Sequence, residues 1–129
     1  MHITLETDYA IRIVDRLIKA GGRLDAKTIS ERSDVPQRFA LKILHKLVSG
    51  GVVKSYKGSG GGYEIALKPE ELSLYDIVEL VEGTYRFSRC VGDGYNCSCE
   101  LPCAYKNVFS DISEEVCKML KKQTFDKFR

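Results

Sequence analysis

The chain has 129 residues, 43% of them hydrophobic and 29% charged, with a formal net charge of +2, a balance suited to one soluble globular core. No apolar run reaches the roughly 18 residues of a membrane-spanning helix, and Glu6, Asp8, Arg12 and Asp15 interrupt the apolar stretch a secretory leader requires. A cytoplasmic protein with no membrane partner is expected. Residues 1–66 carry eleven Lys and Arg against seven Asp and Glu, and residues 67–129 nine against eleven, so the N-terminal half is the better surface for a polyanion.

Residues 5–20 set Ala10, Ile11, Val14, Leu17 and Ile18 at helical spacing, and Gly21-Gly22 supplies the stop. A shorter helix over 26–32 turns Ala26 and Ile29 inward and ends in Ser33-Asp34-Val35-Pro36, where the proline opens the next helix as its first residue. That third helix, 36–49, has an apolar stripe of Ala40, Ile43, Leu44, Leu47 and Val48 and a left-handed cap at Gly50-Gly51. Its opposite face carries Gln37, Arg38, Lys42, His45 and Lys46.

Helix, tight turn, helix is the arrangement in which the second helix enters a major groove with its N-terminal residues at the base edges. Gln37 suits adenine and Arg38 suits guanine, while Thr28 and Lys42 are placed for further DNA contacts. The same pattern fits a solvated amphipathic helix equally well, and the following segment shifts the balance. Residues 52–56 and 63–67 read as strands around Lys57-Gly58-Ser59-Gly60-Gly61-Gly62, a glycine-rich wing. Lys54 and Lys57 bring charge to a sugar-phosphate chain, and Gly60 lets the backbone approach it, although glycines also serve a tight turn. A nucleotide-binding loop is disfavoured, because the lysine precedes the glycines and a strand follows them.

Ser73 caps a further helix with Leu74, Ile77, Val78 and Val81 inward, ending near Gly83. Residues 84–102 lack periodicity and contain Cys90, Cys97 and Cys99, with Cys103 just beyond. Clustered thiols in a reducing compartment point to metal binding or catalysis, and a metal centre would order such a loop. From 104 to about 122, Tyr105, Val108, Phe109, Ile112, Val116, Met119 and Leu120 form an apolar stripe that requires a partner, either a second copy or the chain's own domain. The expected fold class is mainly α with a small β-hairpin wing. It divides into a winged helix-turn-helix (1–83), a cysteine-rich loop (84–103) and a dimerisation helix with its tail (104–129). Cys117 reads as a small buried hydrophobe, and His2 and His45 are poor ligand candidates. No acid–base pair or nucleophile–histidine constellation suggests an enzyme.

Four stretches together resemble the Rrf-type family of winged-helix bacterial regulators, which includes IscR-like iron–sulfur regulators and NsrR-like nitric-oxide sensors. They are Thr7-Asp8-Tyr9-Ala10-Ile11-Arg12, the wing run 57–63, residues 74–83 and the cysteines ahead of the final helix. The resemblance spans nearly the whole chain and implies a homodimer that binds a double-stranded DNA operator under control of an iron–sulfur cluster, 2Fe-2S ahead of 4Fe-4S. Cluster-binding members carry three cysteines with five residues in each gap; here Cys97 and Cys103 have five between them, and Cys90 and Cys97 have six.

By that resemblance Cys90, Cys97 and Cys103 are the metal ligands, and the extra Cys99 is a substitute ligand, a spare or a redox-active thiol. The histidine that the IscR-like branch has three residues after its last cysteine is Lys106 here. The NsrR-like branch implies Asp8 of the partner subunit instead, a carboxylate that would leave its iron labile; an acidic residue also suits the first turn of any helix. On the same fold, a four-thiolate zinc site or a metal-free thiol sensor is the alternative.

Overall fold

The computed structural model describes residues 3–87 and 103–128. In chain order it contains α1 (Leu5–Ala20), α2 (Ala26–Ser33), α3 (Gln37–Ser49), β1 (Val53–Tyr56), β2 (Gly62–Ile65), a 3-10 turn (Pro69–Glu71), α4 (Leu74–Glu82), α5 (Ala104–Lys121) and a second 3-10 turn (Phe125–Phe128). The expected class, mainly α with a two-stranded hairpin and a long C-terminal helix, is the one observed.

Local chemistry sets most of the boundaries. The Thr4 hydroxyl accepts the Thr7 amide at 3.2 Å to open α1, and Gly21 closes it at φ 65°, a backbone conformation that costs glycine no Cβ clash. Asp25 caps α2 by accepting the Thr28 amide at 2.7 Å. Ser73 and Asp76 form a reciprocal capping box at the start of α4, satisfying two N-terminal donors at once. One expected boundary is displaced by one residue, and the glycine cap of α3 resolves to the second of its two glycines. Pro36 lies just outside α3, at φ −54° and ψ 136°, because the chain is still extended after the turn. Gly50 is right-handed at φ −84° and Gly51, at φ 77°, takes the left-handed conformation.

The core lies between α1 and the elements around it: Ala10, Ile13, Val14 and Leu17 of α1 meet Ile29 of α2, Ala40, Ile43, Leu44 and Leu47 of α3, and Ile77 of α4, all essentially without solvent contact. Each large aliphatic side chain so buried contributes roughly 1.5–3 kcal/mol, which holds α2, at eight residues too short to persist alone. The inward stripe of α1 is rotated from the expected one: Ile13 and Thr7 are buried, while Ile11 and Ile18 are half-buried.

The hairpin pairs Val53 with Ile65 and Tyr56 with Gly62, antiparallel. Leu24, between α1 and α2, joins the outer edge of β2 as a single-residue bridge, exchanging hydrogen bonds with Tyr63 at 2.9 and 2.8 Å. At the other end the chain returns to the same body. Leu74 donates to the Gln123 carbonyl at 2.9 Å, Phe125 donates to the Leu72 carbonyl at 3.0 Å, and the Phe125 ring is 3% exposed within the core. Residues 125–128 thus form an ordered turn that no periodicity announces.

Candidate nucleic-acid interface and cysteine centre

The connection from α2 to α3 is locked by Asp34 at φ 54°, by the Val35 amide donating to the Ser30 carbonyl at 3.1 Å, and by the Ser30 hydroxyl donating to the Val35 carbonyl. This turn directs the start of α3 outward. Gln37, Arg38, Lys42 and His45 are exposed, opposite the buried stripe. The Arg38 guanidinium lies 5.1 Å from the Phe39 ring centroid, and Phe39 in turn lies 6.0 Å from Tyr9 of α1. Lys46 differs from its neighbours: its ammonium donates to Glu6 of α1 at 2.7 Å, with Lys42 at 3.9 Å from the same carboxylate oxygen. Two of the three cations on this face, Lys42 and Lys46, are therefore partly balanced from α1.

Thr28 is half-buried near the start of α2. Its amide donates to the Asp25 carboxylate at 2.7 Å, and amide and hydroxyl together hold that group below the usual carboxylate range, with Lys27 adding a smaller pull. A phosphate approaching Thr28 would meet this carboxylate, which the sequence reading did not anticipate.

Lys54 and Lys57 are exposed on the wing. The glycines of its turn are not equivalent. Gly58 stands at φ 89° and Gly62 at φ 138°, and a Cβ on Gly62 would fall 2.7 Å from the Leu24 carbonyl oxygen. A Cβ on Gly61 would collide with the carbonyls of Tyr56 and Gly58. Gly60 has open space and no positive φ, so the turn itself does not demand a glycine there. A residue outside the hairpin also touches it at three points. The Arg23 guanidinium lies 3.5 Å from the Tyr56 ring centroid, donates to the Gly60 carbonyl at 3.0 Å, and has its Nε 3.5 Å from Glu64.

Of the cysteine positions, Cys90, Cys97 and Cys99 lie outside the described residues, as does His2. Cys103 is the N-cap residue of α5, half-buried, and its sulfur makes no capping bond to the helix. Cys117 is half-buried along α5. Lys106 is exposed in the first turn of α5. Asp8 lies in the first turn of α1, with Arg12 2.8 Å from its carboxylate and both side chains nearly half exposed. Exposed pairs of this kind are worth less than about 1 kcal/mol, a small obstacle to ligation. Among the described residues no three His, Cys, Asp or Glu side chains gather into a metal site.

The apolar stripe of α5 separates into two faces. Phe109 packs its ring 5.6 Å from that of Phe87, and Val116 and Leu120 line, with Ile3, Val78 and Phe87, a cavity of about 520 Å³ beside α4 and residues 83–87. The Phe87 amide donates to the buried Ser113 hydroxyl at 2.8 Å, which donates to the Phe109 carbonyl at 2.9 Å. Tyr105, Val108 and Met119 point away and are 75%, 54% and 64% exposed. Their offsets of three and eleven residues keep them on one seam at heptad-like spacing.

A family model described as Rrf2, iron-dependent transcriptional regulator, matches residues 3–128. The chain is 25% identical to the transcriptional regulator NsrR of Bacillus subtilis, over 96% of this chain and 87% of that protein. It is 27% identical to the transcriptional regulator IscR of Aliivibrio salmonicida, over 93% and 72%. Among solved structures, CymR of B. subtilis, titled a global cysteine regulator, superposes with a TM-score of 0.79 at 22% identity, covering 99% of this chain and 95% of that one. IscR of T. potens superposes at 0.78 and 21% identity, covering 99% and 85%. The helix-turn-helix, the wing and the family match over nearly all residues lead to one assignment: the chain belongs to the Rrf2 family of transcriptional regulators, which are DNA-binding proteins and not enzymes.

Proposed function

We propose that two copies of this chain pair through the outward seam of α5 and read a two-fold related double-stranded DNA operator, with affinity set by a 2Fe-2S cluster. Gln37 and Arg38 meet base edges, Thr28 and Lys42 contact the backbone, and the wing applies Lys54, Lys57 and Gly60 to the flanking sugar-phosphate chain. Cys90, Cys97 and Cys103 hold the cluster, with Asp8 of the partner subunit or Cys99 as the fourth ligand. The carrying observation is the position of Cys103. It is the N-cap residue of α5, so the thiol run leads directly into the helix whose exposed seam suits a second copy.

When bound, the cluster supplies a centre that responds to oxidants, to nitric oxide and to iron supply. The chain's own residues do the rest. Cys103 ties the thiols to the first turn of α5, Ser113 and Phe109 hold Phe87 at the other end of the loop, and a shift of α5 changes the separation of two α3 helices across the dimer. Half-sites on one face of DNA lie about 34 Å apart, so operator affinity is sensitive to that separation.

Anaerobic purification followed by an absorption spectrum and iron and sulfide analysis tests the reading. Visible sulfide-to-iron bands with iron and sulfide in equal amounts are expected; a colourless protein with stoichiometric zinc would overturn it. A second reading, a zinc or metal-free thiol sensor on the same DNA-binding fold, is favoured by the additional Cys99. The likeness in fold to CymR, described both as a cysteine regulator and in an oxidised form, also supports it. The same measurement separates the two.

A further inference from the structure

Arg23 is the residue whose contacts the DNA-binding reading leaves unexplained. It sits in the connection between α1 and α2, yet its hydrogen bond, ion pair and cation–π contact among the described residues are all with the wing. The face of its guanidinium covers Tyr56, the last residue of β1. One edge donates to the carbonyl of Gly60 in the turn, and Nε approaches Glu64 in β2. Its neighbour Leu24 fastens the middle of β2 through Tyr63.

A two-stranded hairpin of four-residue strands is marginal by itself. Leu24 holds it at Tyr63, the second residue of β2, and the turn extends beyond that bridge. Stacking on an aromatic face while donating from an edge requires a planar, forked cation, which lysine does not provide. The guanidinium is also poorly placed to receive a phosphate, because Glu64 already stands 3.5 Å away.

We propose that Arg23 is a positioning residue for DNA recognition: it clamps the wing turn to the body of the domain so that Lys57 and Gly60 face the duplex, without touching the DNA itself. The proposal rests on the reading that the wing contacts DNA. The probe is a duplex that the wild-type protein selects from a random-sequence pool, with Arg23→Ala and Arg23→Lys compared for affinity and for the dependence of affinity on salt. Without the stacked, hydrogen-bonded clamp the loosened turn must be ordered as it docks, which should weaken binding about tenfold in both variants; Lys57 still reaches its phosphate in the complex, so the salt slope is unchanged. In the free protein, trypsin should cleave after Lys57 faster in both variants than in wild type, a direct measure of local wing opening.

Three results would overturn the proposal: wild-type affinity and cleavage rate in Arg23→Ala, full rescue of affinity by Arg23→Lys, or a fall of about one in the salt slope per chain, the signature of a phosphate contact. Failure of the wild-type protein to select any duplex would instead refute the DNA reading itself. The trypsin rates would then still report whether Arg23 holds the wing.

Discussion

Phe125→Ala is the most demanding test of the fold, because it asks whether the end of α5 is structurally fixed. The ring is 3% exposed and belongs to the same core as Leu72 and Ile77, and its amide donates to the Leu72 carbonyl. Truncating a buried phenylalanine costs about 3–5 kcal/mol, combining lost transfer energy with the cavity left behind. A chain of 129 residues has roughly 6–19 kcal/mol in total, so the substitution removes a large share, equivalent to a fall of about 10–20 °C in the thermal midpoint. Urea unfolding followed by circular dichroism measures it, at one fixed protein concentration because pairing of copies makes stability concentration-dependent. Phe128→Ala is the internal control: Phe128 is 46% exposed and should cost less than about 1 kcal/mol. A Phe125→Ala loss no larger than the control's would refute the reasoning and show the last turn to be loosely attached.

Gly61→Ala should destabilise the protein by about 1–3 kcal/mol, since its new methyl meets two backbone carbonyls, whereas Gly60→Ala should leave the melting curve in place; equal effects would contradict the turn geometry. Alanine at Cys90, Cys97 or Cys103 should remove bound iron and visible colour, as read by metal analysis after anaerobic purification; Cys99→Ala keeps both if Asp8 of the partner subunit is the fourth ligand and loses them if Cys99 is. Charges of one sign on the outward seam, as in the double substitution Val108→Glu with Met119→Glu, should convert a dimer to a monomer by sedimentation; an intact dimer would place the interface elsewhere. Asp25 carries the pH prediction. Its lowered pKa means that its stabilisation is complete above the ordinary carboxylate range and is lost as pH falls through the depressed value. The stability gap between wild type and Asp25→Ala should therefore narrow on acidification, and a gap that widened would invert the argument.

The helix limits were legible because the residues that end helices act locally. Gly21, the Asp34–Pro36 turn and the Ser73 cap need no knowledge of the rest of the fold. The wing was legible for the same reason, through alternating strands around glycines. Arg23 was not, since it is a lone basic residue in a connecting segment and its three partners are 33 to 41 positions away. Phe125 was equally silent: one aromatic after a helix sets no period, and only tertiary packing decides whether it is covered. The α5 stripe was visible as apolar, but spacing alone did not divide it into a face kept by the chain and a face left open. Ser113, a polar residue inside that stripe, holds Phe87 through a hydrogen bond that no pattern encodes. Three of the four clustered thiols lie outside the described residues, so their ligand roles rest on spacing and family membership.

The seating of Phe125 beside Leu72, with Thr124 bridged to Ser73, gives α5 a pivot at its C-terminal end. With 18 residues the helix is about 27 Å long, and Cys103 stands at the far tip. A displacement of about 1 Å at that sulfur corresponds to roughly 2° of tilt over such an arm. On the function proposed above, a change at the thiols would thus become an angle between two DNA-binding heads, with the short C-terminal turn as its fulcrum.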